Sequence, residues 1–156
     1  MTADDKPRII ALFRSGGKGE AMEPLAAAEV IADLGFAGDR KARPGTKRQV
    51  LLLDVETVEE FGFRPGDLDE NITTRGLAIN ALQRGQQIRI GDVILEVTIE
   101  CPACYKLEAL RPGLEEAMRH RRGMMTRVLQ SGSIRVGDAV ELLASTEADY
   151  EPAHPA

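Results

Sequence analysis

The chain has 156 residues, and its composition indicates one domain with an aliphatic core. Its length is close to the commonest domain size, while apolar residues make up 43% of it and aromatic residues only 4%. The core must therefore consist mainly of Val, Ile, Leu and Ala, and recognition of nucleic acid by base stacking is not expected. No apolar run approaches the ~18 residues that span a bilayer, and residues 1–5 lack the charged and apolar regions of a signal peptide. We therefore expect a cytoplasmic protein that binds neither a membrane nor nucleic acid.

The formal net charge is −5, but the basic residues are concentrated in two short stretches. The first basic island, residues 37–48, contains one acidic residue and five basic ones, Arg40, Lys41, Arg43, Lys47 and Arg48. The second basic island, residues 119–127, contains four arginines and no acidic residue. Taken alone, each island is compatible with a solvated loop. Two such islands in an acidic chain favour a local site for a small anion over a nucleic-acid surface.

The predicted elements are mostly short strands. Apolar or alternating runs predict strands over residues 8–13, 28–33 and 49–54. The run Ser15-Gly16-Gly17-Lys18-Gly19 follows the first strand; it lacks the spacing of a nucleotide-binding P-loop, so we interpret it as a flexible loop. Asp54 is suited to cap one or two helical turns over residues 55–61, and a second short helix is predicted over residues 114–120.

Residues 88–94 and 134–140 repeat one pattern, in which Ile-Arg-(Ile/Val)-Gly-Asp is followed by apolar residues. Each copy predicts a strand, a Gly-Asp turn and a second strand. Repeated units of this kind without long helices between them favour a closed or nearly closed antiparallel β-barrel over a parallel sheet. We therefore predict a mainly β fold, with one domain over residues 1–144 and a disordered acidic, proline-containing tail over residues 145–156.

Both cysteines lie in one motif, Glu100-Cys101-Pro102-Ala103-Cys104-Tyr105-Lys106-Leu107, at the end of a predicted strand. Cys-x-x-Cys spacing occurs in zinc sites, in thioredoxin-like redox pairs and around single working thiols. Structural zinc needs four ligands, and the remaining candidates of the preferred kinds are His120 and His154, the second in the predicted tail. A thioredoxin-like pair lies at the start of a helix in a βαβ unit, whereas this sequence predicts hairpins. A dithiol redox or metal-binding module remains an alternative to one working cysteine.

An ordered set of short motifs between about Ala28 and Leu143 resembles MOSC domains, which are found at the C-terminus of molybdenum cofactor sulfurases. The motifs are Gly35-x-x-Gly38-Asp39-Arg40, Arg48-Gln49-Val50, Glu70-Asn71-Ile72-Thr73, Arg75-Gly76-Leu77, Gly85-x-x-Ile88-x-Ile90-Gly91, Cys101-x-x-Cys104, Arg122-Gly123 and Gly132-x-Ile134-x-Val136-Gly137-Asp138. The chain looks like a standalone bacterial-type member of this family. The resemblance implies a β-barrel that binds molybdenum cofactor through one cysteine, which by its position in the motif is Cys104. Cys101 is not part of the general family pattern.

The resemblance implies two activities for such a cysteine. In sulfurases it carries sulfur destined for the cofactor; in the related mitochondrial amidoxime-reducing component it ligates molybdenum, and N-hydroxylated compounds are reduced. The first would need a sulfur-donor protein and the second an electron-donor protein. A non-enzymatic carrier of sulfur or cofactor is the alternative. The chain is too short to hold the pyridoxal phosphate unit of a full sulfurase, so molybdopterin is the only cofactor expected.

The chemistry of molybdopterin indicates which residues would bind it. The cofactor carries a phosphate and a dithiolene, so its site needs Arg or Lys for the phosphate and a thiolate for the metal or the transferred sulfur. We assign Arg40, Arg48 and Arg122 to the anion, and Cys104 to catalysis and to the metal. Glu70 and Asn71 match a family motif and have the acceptors and donors to bind a pterin edge. The same pair is equally compatible with a structural turn.

Overall fold

The protein is described here by a computed structural model that covers residues 6–17 and 19–143. The predicted tail over residues 145–156 lies outside these residues. The strands are β1 (Arg8–Arg14), β2 (Glu23–Leu25), β3 (Ala27–Ile31), β4 (Gly35–Phe36), β5 (Val50–Asp54), β6 (Ile72–Arg75), β7 (Gln87–Ile90), β8 (Val93–Glu100), β9 (Met124–Gln130), β10 (Gly132–Arg135) and β11 (Glu141–Leu143). The helices are α1 (Val55–Glu60), α2 (Tyr105–Leu110) and α3 (Leu114–Ala117), with a 3-10 turn at Ile79–Ala81. None of the helices in this part of the chain has the length and apolar character needed to cross a membrane.

The strands form two open sheets. Eight strands pair in the order β11-β7-β8-β9-β5-β6-β1-β2, and three pair in the order β10-β3-β4. All pairs are antiparallel except β5 with β6, which α1 and the following loop connect in parallel. The predicted mainly β fold with a few short helices is confirmed. The predicted closed antiparallel barrel is not found, because β11 and β2 end the larger sheet without pairing to each other.

The two copies of the Gly-Asp pattern pair in different ways. The first copy forms the expected hairpin, in which Ile90 of β7 pairs with Val93 of β8. The second copy does not: β10 pairs with β3 in the smaller sheet, whereas β11 pairs with β7 in the larger one. The turn between β10 and β11 instead bonds to the start of β1, where Ile9 N donates to Asp138 O. The two strands of the second copy therefore belong to different sheets.

The core is aliphatic, as the composition predicted, and β5 lies at its centre. All five residues of β5 are buried, and successive side chains face opposite sides of the sheet. Leu52 belongs to the main core between the sheets, whereas Leu53 belongs to a second cluster with Val58, Leu107 and other residues of the short helices. Leu107 anchors α2 in this cluster, and α2 begins directly after Cys104. The helical layer therefore determines where the cysteine motif lies.

The short helix α1 begins as the sequence predicted. The Asp54 carboxylate accepts hydrogen bonds from Thr57 N (3.1 Å) and Thr57 Oγ1 (2.8 Å), so Asp54 is the N-cap. This satisfies a backbone N–H that the first turn of a helix leaves unpaired. The cap thereby fixes the point at which buried β5 turns into the helical layer.

Candidate functional site

A cavity of about 790 Å³ brings the first basic island, the cysteine motif and Arg122 together. The island contributes Arg40, Lys41, Arg43 and Arg48, and the cysteine motif contributes Cys101, Cys104 and Lys106. Four of the predicted site residues, Cys104, Arg40, Arg48 and Arg122, therefore line one space although they are distant in sequence. A thiol and several cations in one cavity can bind an anionic ligand that also reacts with or coordinates to sulfur.

The charge in this cavity is strongly unbalanced. Six basic side chains line it, against two carboxylates, those of Glu20 and Asp69. Within residues 6–17 and 19–143, none of these six forms an ion pair with a carboxylate. Other arginines of the chain do, as in Arg14–Glu23 (2.8 Å) and Arg127–Glu96 (2.8 Å). The concentration of unpaired cations in the cavity creates a positive local potential that favours an anion.

Arg122 is the buried member of this set. Its side chain belongs to a residue only 8% exposed, and its Nε and Nη1 atoms are buried without a hydrogen-bond partner. The preceding residue, Arg121, forms two hydrogen bonds with the Glu60 carboxylate, at 2.6 and 2.7 Å. A buried guanidinium without partners costs free energy of folding. Arg122 also lines the cavity, so an anion bound there would balance its charge.

The backbone of Gly123 connects Arg122 to the cysteine motif. Gly123 O accepts a hydrogen bond from Cys101 N (2.9 Å) and another from Asn80 Nδ2 (3.2 Å). Gly123 N donates to Asn80 Oδ1 (2.8 Å). The second basic island and the cysteine motif are therefore held together by main-chain contacts, independently of any ligand.

The carboxylate of Asp39 holds the loop that carries Arg40 and Lys41. Asp39 is buried, and it accepts hydrogen bonds from Ser15 N (2.6 Å), Lys41 N (3.0 Å) and Asn71 Nδ2 (3.2 Å). The Asn71 side chain also accepts from Leu51 N (2.9 Å). This network joins the glycine-rich loop, the first basic island and β5, so the cations are placed by buried polar contacts.

Burial perturbs two groups in the cavity in a consistent way. Burial raises the pKa of the Cys101 thiol, although Arg122 and Arg48 oppose the shift. Burial also lowers the pKa of the Lys41 ammonium, although Asp39 and Asp69 oppose it. Both shifts disfavour the charged form, as expected where water is partly excluded. Electrostatic attraction between the cations of the cavity and a bound anion is therefore stronger than it would be in bulk water.

One comparison with known proteins assigns a family. The profile of the MOSC domain matches residues 39–141, which is more than half of the chain. The chain belongs to the MOSC domain family. A comparison with curated proteins found no match.

Solved structures with the same fold include three bacterial proteins. The YUAD protein from Bacillus subtilis superposes with a TM-score of 0.72 and 19% identity, covering 88% of this chain and 95% of YUAD. YiiM from Geobacillus stearothermophilus superposes with a TM-score of 0.72 and 22% identity, covering 88% of this chain and 75% of that protein. YiiM from Escherichia coli superposes with a TM-score of 0.68 and 20% identity, covering 89% of this chain and 71% of that protein. At these identities the likeness shows the fold of the MOSC domain alone.

Two predicted site residues of this MOSC domain do not line the cavity. Glu70 and Asn71 are both fully buried. The Glu70 carboxylate accepts from Gly66 N (3.0 Å) and Thr73 Oγ1 (2.8 Å) through Oε2, while its Oε1 is buried without a partner. Asn71 takes part in the Asp39 network described above. Their contact with a pterin stays a prediction; Asn71 supports the loop of Asp39, whereas Glu70 binds Gly66 and Thr73.

Sequence reasoning did not select Lys41, Arg43 or Lys106, nor the glycine-rich loop as part of the site. Lys41 and Arg43 lie in the first basic island, so clustering of charge was the available signal. Ser15, Gly17 and Gly19 reach the cavity because β1 pairs with both β2 and β6, a long-range arrangement that the local pattern does not reveal.

Histidines and carboxylates do not complete a metal site around these cysteines. Over the residues that the structure describes, no group of three or more His, Cys, Asp or Glu side chains is arranged to hold a metal ion. His120 instead lies on the surface, where its Nδ1 is 2.7 Å from Glu100 Oε1. The cavity therefore contains two thiols with cations around them. This arrangement suits a ligand that carries its own metal or sulfur.

Replacing Gly123 with Ala is expected to destabilise this MOSC domain by at least about 3 kcal/mol. Gly123 has φ +105°, and an added Cβ would lie 2.4 Å from Leu52 O in the buried centre of β5. Gly137→Ala is the matched control, because Gly137 has φ +97° and open space around the added atom. There we expect only backbone strain, about 1–2 kcal/mol. Urea unfolding of both variants measures the difference, and equal losses would contradict the predicted clash.

Proposed function

We propose that this MOSC domain binds molybdenum cofactor in the cavity, and that Cys104 is the thiol through which it acts, in sulfur transfer or in reduction of N-hydroxylated compounds. The observation that carries the proposal is the buried Arg122. Arg122 lines the same cavity as Cys104 and five further cationic side chains, and its Nε and Nη1 are buried without a hydrogen-bond partner. MOSC domains as a family are linked to this cofactor, which gives the anion and the sulfur chemistry a common ligand.

The residues present fit the chemical groups of molybdopterin. Its phosphate matches the planar, bidentate donors of arginine, so Arg122 would hold it together with Arg48 and Arg40. Cys104 would supply the thiolate, which is the soft ligand suited to molybdenum or to transferred sulfur. The carboxylates of Asp69 and Glu20 can accept hydrogen bonds from the polar edge of a pterin. When bound, the cofactor would supply the oxidation–reduction chemistry that side chains lack.

The residues of the chain have three tasks in this proposal. The cations bind and orient the anionic end of the ligand, and the buried Asp39–Asn71 network keeps Arg40 and Lys41 in place. The partly buried wall around Cys101 excludes water, which strengthens these contacts. Cys104 presents a half-buried free thiol at the first turn of α2. Binding and orientation would thus precede any transfer of sulfur or electrons.

Analysis of bound metal and pterin tests the proposal. We expect molybdenum and a pterin to copurify in comparable amounts when the protein is produced in a molybdenum-replete host. The control is the same protein from molybdenum-depleted medium, which should carry less metal. Absence of both molybdenum and pterin, together with an unmodified Cys104, would contradict cofactor binding. A persulfide on Cys104 without metal would favour the alternative of a non-enzymatic sulfur carrier.

A further inference from the structure

The cavity contains a second thiol, that of Cys101, which the proposed function does not use. Cys101 and Cys104 are both free, half-buried and in the lining of the same cavity. The two thiols also interact electrostatically with each other. Their separation by two residues, Pro102 and Ala103, is a spacing at which Cys-x-x-Cys motifs commonly form a disulfide. The two thiols therefore open onto one cavity, within range of each other's charge.

The side chains around Cys101 carry positive charge, which stabilises a sulfur anion. Arg122, Arg48 and Lys41 all interact electrostatically with its sulfur. None of the three has a carboxylate partner within 4 Å among the residues described. Because these cations are unneutralised, they stabilise both a Cys101 thiolate and a small anion released beside it. The contact between Cys101 N and Gly123 O keeps this thiol next to Arg122.

We propose that Cys101 is a resolving thiol that discharges a persulfide carried on Cys104, releasing the terminal sulfur as hydrosulfide into the cationic cavity. The inference rests on the sulfur-carrying role in the proposed function. It gives the MOSC domain a way to release sulfur when no acceptor takes it.

The reaction balances in two steps. In loading, the Cys104 thiolate attacks the outer sulfur of a small-molecule persulfide. The sulfur–sulfur bond of the donor breaks, its inner sulfur leaves as a thiolate, and Cys104 becomes a persulfide. In discharge, the Cys101 thiolate attacks the inner sulfur, which is the Sγ of Cys104. The Cys101–Cys104 disulfide forms, the bond between Cys104 Sγ and the outer sulfur breaks, and hydrosulfide leaves. Two cysteine thiols are oxidised, and the outer sulfur takes up their two electrons. A dithiol reductant then restores both thiols.

Burial explains why discharge would not occur at once. Because burial raises the pKa of the Cys101 thiol, it reduces the fraction of thiolate at a given pH. Only the thiolate attacks a persulfide or a disulfide. Burial would therefore slow the discharge and leave more time for an acceptor to take the sulfur.

The experiment follows persulfide and sulfide in purified protein loaded with glutathione persulfide. After removal of excess donor, and with no reductant present, intact mass and free sulfide are measured over time. Wild-type protein is expected to gain one sulfur, and then to lose it as sulfide while its mass settles two hydrogens below that of the reduced protein. Cys101→Ser and Cys101→Ala are expected to load normally and to retain the persulfide at least about tenfold longer. Thermal unfolding checks that both variants are folded.

A pair of neighbouring basic residues provides a test of the charges. Arg48→Gln is expected to slow sulfide release, because Arg48 acts on Cys101, whereas Lys47→Gln is expected to leave it unchanged, because Lys47 does not line the cavity. Equal rates in the two variants would contradict the role of the cations.

The outcomes separate this inference from the proposed function. If wild-type Cys104 keeps its persulfide as long as Cys101→Ser does, or if the sulfur moves intact to Cys101, the resolving role is wrong and the carrier role stands. If Cys104 is never loaded, the carrier role and the inference are both overturned. Restoration of loading by dithiothreitol after discharge is the result expected for a reversible disulfide.

Discussion

Replacing Cys104 with Ser is expected to reduce sulfur loading and molybdenum content to background, while Cys101→Ser leaves most of both. A serine hydroxyl is neither a strong nucleophile nor a soft metal ligand, so it cannot substitute for the thiolate in either proposed use. The fold should survive the change, because Cys104 is the N-cap residue of α2 and makes no capping hydrogen bond. Serine is among the preferred residues at that position. Metal analysis and intact mass after persulfide treatment measure the two losses.

Circular dichroism and thermal unfolding provide the control for Cys104→Ser. A melting temperature close to that of the wild-type protein is expected, which would assign the loss to chemistry and not to unfolding. Equal loss of loading in Cys104→Ser and Cys101→Ser would contradict a single working thiol. That result would support the dithiol module that the sequence left open.

Replacing Arg122 with Met is expected to weaken binding of the anionic ligand by about 10- to 100-fold. A charged hydrogen bond contributes roughly 1.5–3 kcal/mol, and each tenfold in affinity corresponds to about 1.4 kcal/mol. The stability of the ligand-free protein should stay the same or rise, because the variant removes a buried guanidinium with two unpartnered nitrogens. Methionine keeps most of the apolar stem that packs in the wall. Titration with inorganic phosphate and urea unfolding measure the two effects.

Arg121 offers the matched control for this prediction. It precedes Arg122 in sequence, but its guanidinium is partly exposed and paired with Glu60. Arg121→Met should leave phosphate affinity unchanged and cost at most about 1 kcal/mol of stability, the usual range for a surface ion pair. Unchanged phosphate affinity in Arg122→Met would contradict the assignment of Arg122 to the anion, on which the proposed function depends. A large loss of stability in the ligand-free variant would show that Arg122 has partners of another kind.

Several parts of this fold follow from local patterns. The run from Gln49 to Asp54, which is apolar over residues 50–53, predicted the central strand, and burial on both faces explains why it does not alternate. Asp54 predicted a cap, and the cap is present. The copy of the Gly-Asp pattern at residues 88–94 predicted a hairpin, and β7 and β8 form it. In each case the physical signal lies within about ten residues, so the sequence alone contains it.

The partner of each strand is not contained in such signals. Residues 134–140 have the pattern of residues 88–94, yet β10 pairs with β3, about a hundred positions earlier in the chain. The closed or nearly closed barrel was predicted from repeated strand-turn-strand units without long helices between them, but the second unit does not form a hairpin. Packing of complementary faces decides the partner, and it involves residues that are distant in sequence.

By itself the sequence determined the aliphatic core, several of the local elements and the family motifs, and it predicted the candidate thiol. Charge clustering also indicated a site for an anion. Only the tertiary structure decided that Arg122 is buried without partners, that Lys41 and the glycine-rich loop join it, and that Cys101 shares the cavity with Cys104. Burial and pairing depend on which distant segments pack together, and the free energy that selects that packing is summed over the whole chain.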